Sequence, residues 1–118
     1  MIFLSEVKRL AVDKSSSQKS LAQFFFSLSL LFRKSIEATS DIYATDLTVR
    51  ELKVPIKTKI LPLRSRSNEV IEFLERAEVI KFAGAKTSVD EALEYKKMVI
   101  EWMSKLRPDP ILTTQKKL

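Results

Sequence analysis

The chain has 118 residues, of which 45% are hydrophobic and 31% are charged, and its formal net charge is +6. This length suits one domain, while one glycine and four prolines are too few turn-forming residues for a many-stranded β fold. The absence of cysteine and histidine excludes disulfides, thiolate metal sites and Ser-His-Asp catalysis. We therefore predict an all-α, single compact domain of four to five helices that is not an enzyme and binds no cofactor or metal. A carboxylate-based enzyme is the remaining catalytic alternative.

The first half of the chain contains two predicted helices. Apolar residues recur with a helical period over residues 2–12, which predicts a short amphipathic helix. After a serine-rich connector, Ser17 or Ser20 can cap a longer helix that continues to about Ala38. Its wide apolar stripe predicts that this helix lies at the centre of the core. The stripe contains Leu21, Phe24, Phe25, Leu28, Leu31, Phe32 and Ile36.

The longest uncharged run, residues 20–32, lies within this second helix. As a helix it would reach about 20 Å, which is short of the roughly 30 Å hydrocarbon core of a bilayer. Glu6 and Asp13 precede the run, which disfavours a secretory signal. Phe26 points away from the apolar stripe, so it is either part of the core or part of an exposed partner-binding face.

A capping box predicts the start of the third helix. Thr48 is the expected N-cap and Glu51 the third helical residue, the spacing at which each side chain can bond the other's backbone. Pro55 is expected to end this helix early, because proline lacks the backbone N–H and disfavours helical geometry before it. The segment 55–67 is expected to be irregular or briefly helical, with inward side chains at Ile56, Ile60, Leu61 and Leu63.

A fourth helix is predicted to be capped by Ser67 or Asn68 and to continue to about Glu78. Glu72 and Arg76 are spaced to form an i,i+4 ion pair on its surface. After it, Gly84 is expected in the left-handed conformation that follows a helix stop. The residues predicted to be buried are Val70, Phe73, Leu74 and Ala77 on the helix, then Val79, Ile80, Phe82 and Ala83 at its end, with Phe82 as the anchor.

The last predicted helix begins after Thr87 or Ser88, because Ser88 and Glu91 match a second capping box. Pro108 and Pro110 are expected to stop it. The helical domain is thus assigned to 1–107 and a flexible C-terminal tail to 108–118. Trp102 is expected at the margin of the buried stripe, which contains Val89, Ala92, Leu93, Tyr95, Val99, Ile100, Met103 and Leu106.

The most polarised stretch of charge runs from residue 50 to residue 66. It contains six basic residues against one acid, a local net charge of +5. Three interpretations are open: solvated surface partly neutralised by the following glutamates, attraction to anionic lipid, or binding to nucleic acid. The basic residues, which are the candidate site for a partner or an anionic surface, are Arg50, Lys53, Lys57, Lys59, Arg64 and Arg66.

The nucleic-acid interpretation has two points against it. A helix-turn-helix would need a basic recognition helix soon after the Thr48 helix, but the next helix comes about fourteen residues later and is acidic. Basic residues interleaved with aromatic residues, as in single-strand binding proteins, do not occur over 50–66.

Four segments of the chain resemble the helical C-terminal domain of BatD-type proteins of the Bat aerotolerance operons, and related domains encoded beside MoxR-type ATPases. The segments are QFFFSLSLLFRKSI, DLTVREL, LERAEVIKFAG and TSVDEAL, and their order spans roughly residues 3–106. Glu78 stands where the family usually has aspartate.

This resemblance implies a location and partners that composition does not supply. In BatD-type proteins the domain follows a transmembrane helix and lies on the cytoplasmic side, so the chain is expected to be an excised domain or a free-standing relative. Candidate partners are a MoxR-type ATPase and von Willebrand A-domain proteins. We predict a non-catalytic, cytoplasmic protein-interaction module of a membrane-associated assembly for stress tolerance or a chaperone-like role; the alternative is a nucleic-acid-binding regulatory protein using 50–66.

Overall fold

The computed structural model describes residues 2–106, and it confirms the predicted all-α fold. In this part of the chain there is no strand. The predicted stop at Pro108 and Pro110 and the predicted tail lie outside the described residues. Residues 2–106 contain five α-helices, namely α1 Ile2–Arg9, α2 Gln18–Thr39, α3 Val49–Thr58, α4 Ser67–Phe82 and α5 Val89–Lys105, with short 3₁₀ segments at Ala44–Asp46 and Leu61–Arg66.

Helix α2 is the centre of the fold, as its apolar stripe predicts. Ser17 is its N-cap and accepts a hydrogen bond from the backbone N–H of Ser20 at 3.1 Å. The helix packs against α1, α4 and α5. All seven residues of the predicted stripe are buried: Leu21, Phe24, Phe25, Leu28, Leu31, Phe32 and Ile36.

Aromatic rings from three helices meet in the core. Phe32 of α2 lies 6.3 Å from Phe73 of α4 and 5.8 Å from Trp102 of α5, measured between ring centroids. Trp102 was expected at the margin of α5, and that prediction is wrong, because the indole closes this cluster and is fully buried. Its Nε1 has no hydrogen-bond partner among the described residues.

Helix α1 is shorter than predicted and ends at Arg9 instead of continuing to residue 12. The N–H of Leu10 bonds the carbonyl of Val7 at 3.1 Å, which tightens the last turn. Lys96 of α5 donates from Nζ to the carbonyls of Lys8 and Leu10, at 3.0 and 2.6 Å. A cation at the helix C-terminus therefore satisfies carbonyls that another turn would otherwise have used.

Helix α3 begins as predicted and ends later than predicted. The Thr48 side chain accepts from the N–H of Glu51 at 3.1 Å, and the Glu51 carboxylate accepts from the N–H of Thr48 at 2.9 Å. The helix passes through Pro55 and ends at Thr58, so the expected early stop is wrong. Burial of Ile56, worth about 1.5–3 kcal/mol, offsets much of the roughly 3 kcal/mol cost of an interior proline.

The connection from α3 to α4 is a 3₁₀ segment, within the predicted range of irregular or briefly helical structure. Ile60 and Leu63 are buried as expected, but Leu61 faces outward, which corrects its predicted inward placement. Helix α4 starts at Ser67 directly from this segment, and its N-cap, Arg66, makes no side-chain capping bond. Predicted capping by Ser67 or Asn68 is therefore wrong, because the preceding 3₁₀ turn already runs into the helix.

Helix α4 extends four residues past its predicted end and stops at Phe82. The N–H groups of Ala83 and Ala85 both bond the carbonyl of Val79, each at 3.1 Å, and Gly84 has a φ of +68°, the left-handed conformation that was predicted.

The extra turn changes which side chains at the end of α4 are buried. The predicted inward set of Val70, Phe73, Leu74 and Ala77 is buried, and so is Ile80, as predicted for the end of the helix. By contrast, Val79 is 43% exposed, Phe82 is 75% exposed, and Ala83 is exposed. The prediction that they are buried, with Phe82 as an anchor, is wrong because the continued helix rotates Val79 and Phe82 away from the core side.

Candidate interaction surfaces

The basic stretch lies on the outer side of α3 and on the 3₁₀ segment that follows it. Val49, Leu52 and Ile56 are the buried side of α3, which packs on α4. Arg50 and Lys57 recur at a helical spacing of seven residues and are both exposed, on one flank of the helix beside the buried side. Sequence and fold thus agree that this helix presents cations to the solvent.

Two of the six candidate cations are held in ion pairs. Lys53 Nζ lies 4.0 Å from Glu75 Oε1 of α4. Arg66 Nε lies 3.2 Å from Glu69 Oε2, although this contact does not have hydrogen-bond geometry, and Nη2 of Arg66 lies 3.9 Å from Glu101 Oε1. For these two residues, the interpretation as neutralised surface fits the geometry.

The other four candidate cations are exposed, and within residues 2–106 they form no ion pair. Two large apolar side chains lie among them in the chain, Val54 and Leu61, each 65% exposed. The sequence missed this apolar component, because Leu61 was placed inward and Val54 was assigned to no surface. We call this surface the α3 basic face, defined as Arg50, Val54, Lys57, Lys59, Leu61 and Arg64.

A second surface is an open groove between α2 and α4, with a volume of about 540 Å³. Phe26 and Leu30 line its α2 side, and Ala77 and Phe82 line its α4 side. Lys81 Nζ lies 3.1 Å from the ring centroid of Phe26 and 4.7 Å from that of Phe82, so the ammonium sits between two aromatic rings. Phe26, which the sequence left between core and partner-binding face, is thus a half-buried wall of the α2–α4 groove.

Arg33 fixes one end of the α2–α4 groove. Its Nη1 donates to the carbonyl of Ala44 at 3.1 Å and to that of Leu47, which ties the 44–47 turn to α2. Burial lowers the pKa of the Arg33 guanidinium, and the charge of nearby Glu78 acts in the opposite direction. This end of the groove is therefore built by a structural arginine.

A third surface is an acidic groove of about 310 Å³ between α4 and α5, where Glu69, Glu72, Glu91 and Glu94 line the walls. Arg76 binds Glu91 through two hydrogen bonds of 2.8 and 3.0 Å, in place of the predicted pair with Glu72. These bonds lower the pKa of the Glu91 carboxyl, with burial opposing.

A general acid at neutral pH needs a raised pKa, whereas the ion pair holds Glu91 in its charged form.

The Ser88 cap of α5 is present, with the N–H of Glu91 donating to Ser88 Oγ at 3.1 Å, but the Glu91 side chain turns to Arg76 and Thr87. In the described part of the chain no group of three or more acidic residues is arranged to hold a metal ion.

Comparisons with protein-family models, with curated proteins and with solved structures give no match to this chain. Within residues 2–106, none of the helices combines the length and the apolar character needed to cross a bilayer.

Proposed function

We propose that the chain is a non-catalytic protein-interaction domain of a membrane-associated assembly, held against an anionic membrane surface by the α3 basic face. One observation carries the proposal: Val54 and Leu61 are exposed among four cations that form no ion pair within the described residues. Apolar side chains beside lysine and arginine are typical of surfaces that lie in the membrane interface. Because anionic lipids lie in the cytoplasmic leaflet, a domain that binds them would be located on the cytoplasmic side.

The expected energies are sufficient for reversible attachment. A basic residue near an anionic leaflet contributes about 1 kcal/mol, so four contribute about 4 kcal/mol, or roughly a thousandfold in binding constant. Moving Val54 and Leu61 out of water adds a hydrophobic contribution to the free energy of binding, which salt does not screen. Binding should therefore weaken with salt without disappearing.

A nucleic acid is the competing partner, because a phosphate backbone would also attract these four cations. The exposed apolar residues favour lipid, since Val54 and Leu61 are aliphatic, whereas single-stranded bases stack on aromatic rings.

Vesicle co-sedimentation tests the proposal. We expect binding to phosphatidylcholine vesicles that contain phosphatidylserine, little binding to phosphatidylcholine alone, and a decrease at high salt. Replacing Arg50, Lys57, Lys59 and Arg64 by Gln should remove most of the binding. A control with the same charge change replaces four exposed lysines elsewhere by Gln and should retain binding: Lys8, Lys14, Lys19 and Lys97.

Two results would contradict this function. One is equal binding to charged and neutral vesicles; the other is an equal loss in the two fourfold variants, which would show that only net charge matters. Gel-shift titration with DNA and RNA separates the alternative, because phosphate contacts predict a steep loss of affinity with salt.

The partner proteins belong to the same proposal and are supported by the four resembling segments. A MoxR-type ATPase or a von Willebrand A-domain protein encoded by the same genome should co-elute with the purified chain. Separate elution of all such proteins would remove this part of the proposal and leave the membrane test unaffected.

A further inference from the structure

We propose that the α2–α4 groove is a homodimerisation site, in which the last turn of α4 from each copy packs into the groove of the other copy. The occupant is thus a second copy of this chain. The inference deepens the proposed role as an interaction domain and rests on it, but it requires no membrane.

The first observation is an exposed aromatic residue at an apolar groove. Phe82 is 75% exposed and lines the groove, and Val79, one turn earlier, is 43% exposed. Ala77, on the same side, is 3% exposed and therefore lies at the bottom of the groove, where its small side chain leaves room for a larger one above it. A single copy therefore offers both an apolar knob and an apolar recess, which is what a two-fold interface requires of one surface.

The second observation is the order of residues along α4. In two antiparallel α4 helices related by a two-fold axis between positions 79 and 80, Ala77 faces Phe82 of the other copy. The same register places Glu78 of each copy opposite Lys81 of the other copy, which gives two pairs of opposite charge. Apolar and charged pairs are therefore satisfied by one arrangement.

The charges also favour a second copy over a different partner. Glu78 and Lys81 both line the groove, and neither forms an ion pair within residues 2–106. A strongly basic partner would be repelled by Lys81 and by Arg33 at the other end of the groove, and a strongly acidic one would leave Glu78 facing like charge. A second copy presents the opposite charge to each.

Only the last turn of α4 and the groove of each copy take part in the proposed contact. We therefore expect a dimer weaker than those with standard interfaces of about 800 Å² per partner, forming at micromolar or higher concentration. A dimer would present two α3 basic faces, and two linked weak contacts bind a surface more tightly than one.

Sedimentation velocity over low micromolar to near-millimolar concentrations tests the dimer without vesicles. The mass should rise from that of the 13.6 kDa monomer towards twice that value. Phe82→Ser should lower the association constant at least tenfold. Leu93 of α5 was predicted to be buried, but it is 43% exposed, so that prediction is wrong. Leu93→Ser should leave the association constant unchanged.

A charge exchange gives the decisive readout. Glu78→Lys and Lys81→Glu should each weaken the dimer about tenfold, because each creates two like-charge pairs. The double variant E78K/K81E should recover most of the association. Three results would overturn the inference: a chain that stays monomeric throughout, a dimer whose association constant is unchanged by Phe82→Ser, or a double variant that associates as weakly as the single variants. The vesicle result would stand in each case.

Discussion

Phe32 and Phe82 are the same residue type on two helices that pack against each other, yet Phe32 is fully buried and Phe82 is 75% exposed. Phe32 is surrounded by rings of α4 and α5. Phe82 is the last residue of α4 and points away from the core. It borders the open α2–α4 groove and lies near Lys81. Burial is thus decided by which helices face the side chain, and the exposed residue is available for binding.

The largest expected difference is between truncations at these two positions. Phe32→Ala should lower the free energy of unfolding by about 3–5 kcal/mol, because it leaves a cavity among packed rings. Phe82→Ala should change it by no more than about 0.5 kcal/mol. Urea unfolding at low protein concentration measures both, and a similar loss in the two variants would contradict the comparison.

The second prediction concerns the ion pair that holds the α4–α5 connection. Glu91→Gln should cost about 1–2 kcal/mol, because it weakens two hydrogen bonds to the Arg76 guanidinium. Glu94→Gln removes an exposed carboxylate from the same helix and should have almost no effect.

The pH dependence of this pair follows from the lowered pKa of Glu91. Its contribution is present above the ordinary carboxyl pKa of about 4.3 and is lost as the pH falls through the lower, folded-state value. The stability difference between wild type and Glu91→Gln should therefore shrink in acid. A difference that stayed constant down to the acid transition would contradict this assignment.

A smaller effect is expected where the chain turns after α4. Gly84 has a φ of +68°, and a Cβ placed there meets no atom within 4 Å, so a substitution adds backbone strain without a clash. Gly84→Ala should cost about 1 kcal/mol and Gly84→Asn less, since asparagine tolerates this conformation. Thermal unfolding of the two variants checks the order, and equal stability of Ala and Gly would contradict it.

Local signals in the sequence predicted much of the fold. The apolar stripe of α2 and the caps at Ser17, Thr48 and Ser88 each depend on residues within one or two turns, and the structure confirms them. Features that depend on other helices were not predictable in the same way. Trp102 is buried because rings of α2 and α4 meet it, and Arg76 bonds a residue fifteen positions away.

The surfaces were predictable only in part for the same reason. Six cations can be counted in the sequence, but which two are neutralised depends on where the fold places the glutamates of α4 and α5. Lys81 and Phe82, which line one end of the α2–α4 groove, lie past the expected end of α4, so their place in the groove was not predicted.

The smallest expected effect on stability is at the α3 basic face. Val54→Ser with Leu61→Ser should change the free energy of unfolding by no more than about 0.5 kcal/mol per site, since both side chains are already 65% exposed. Urea unfolding measures this, and a loss as large as that of Phe32→Ala would show that the two residues belong to the core.

The most direct test of the account measures binding of this V54S/L61S variant to phosphatidylserine-containing vesicles across a salt titration, beside wild type and Leu93→Ser. We predict that wild type and Leu93→Ser keep a bound fraction at high salt and that V54S/L61S loses it. A wild-type chain that binds these vesicles no better than neutral ones, or a V54S/L61S variant that binds as well as wild type at every salt concentration, would contradict it.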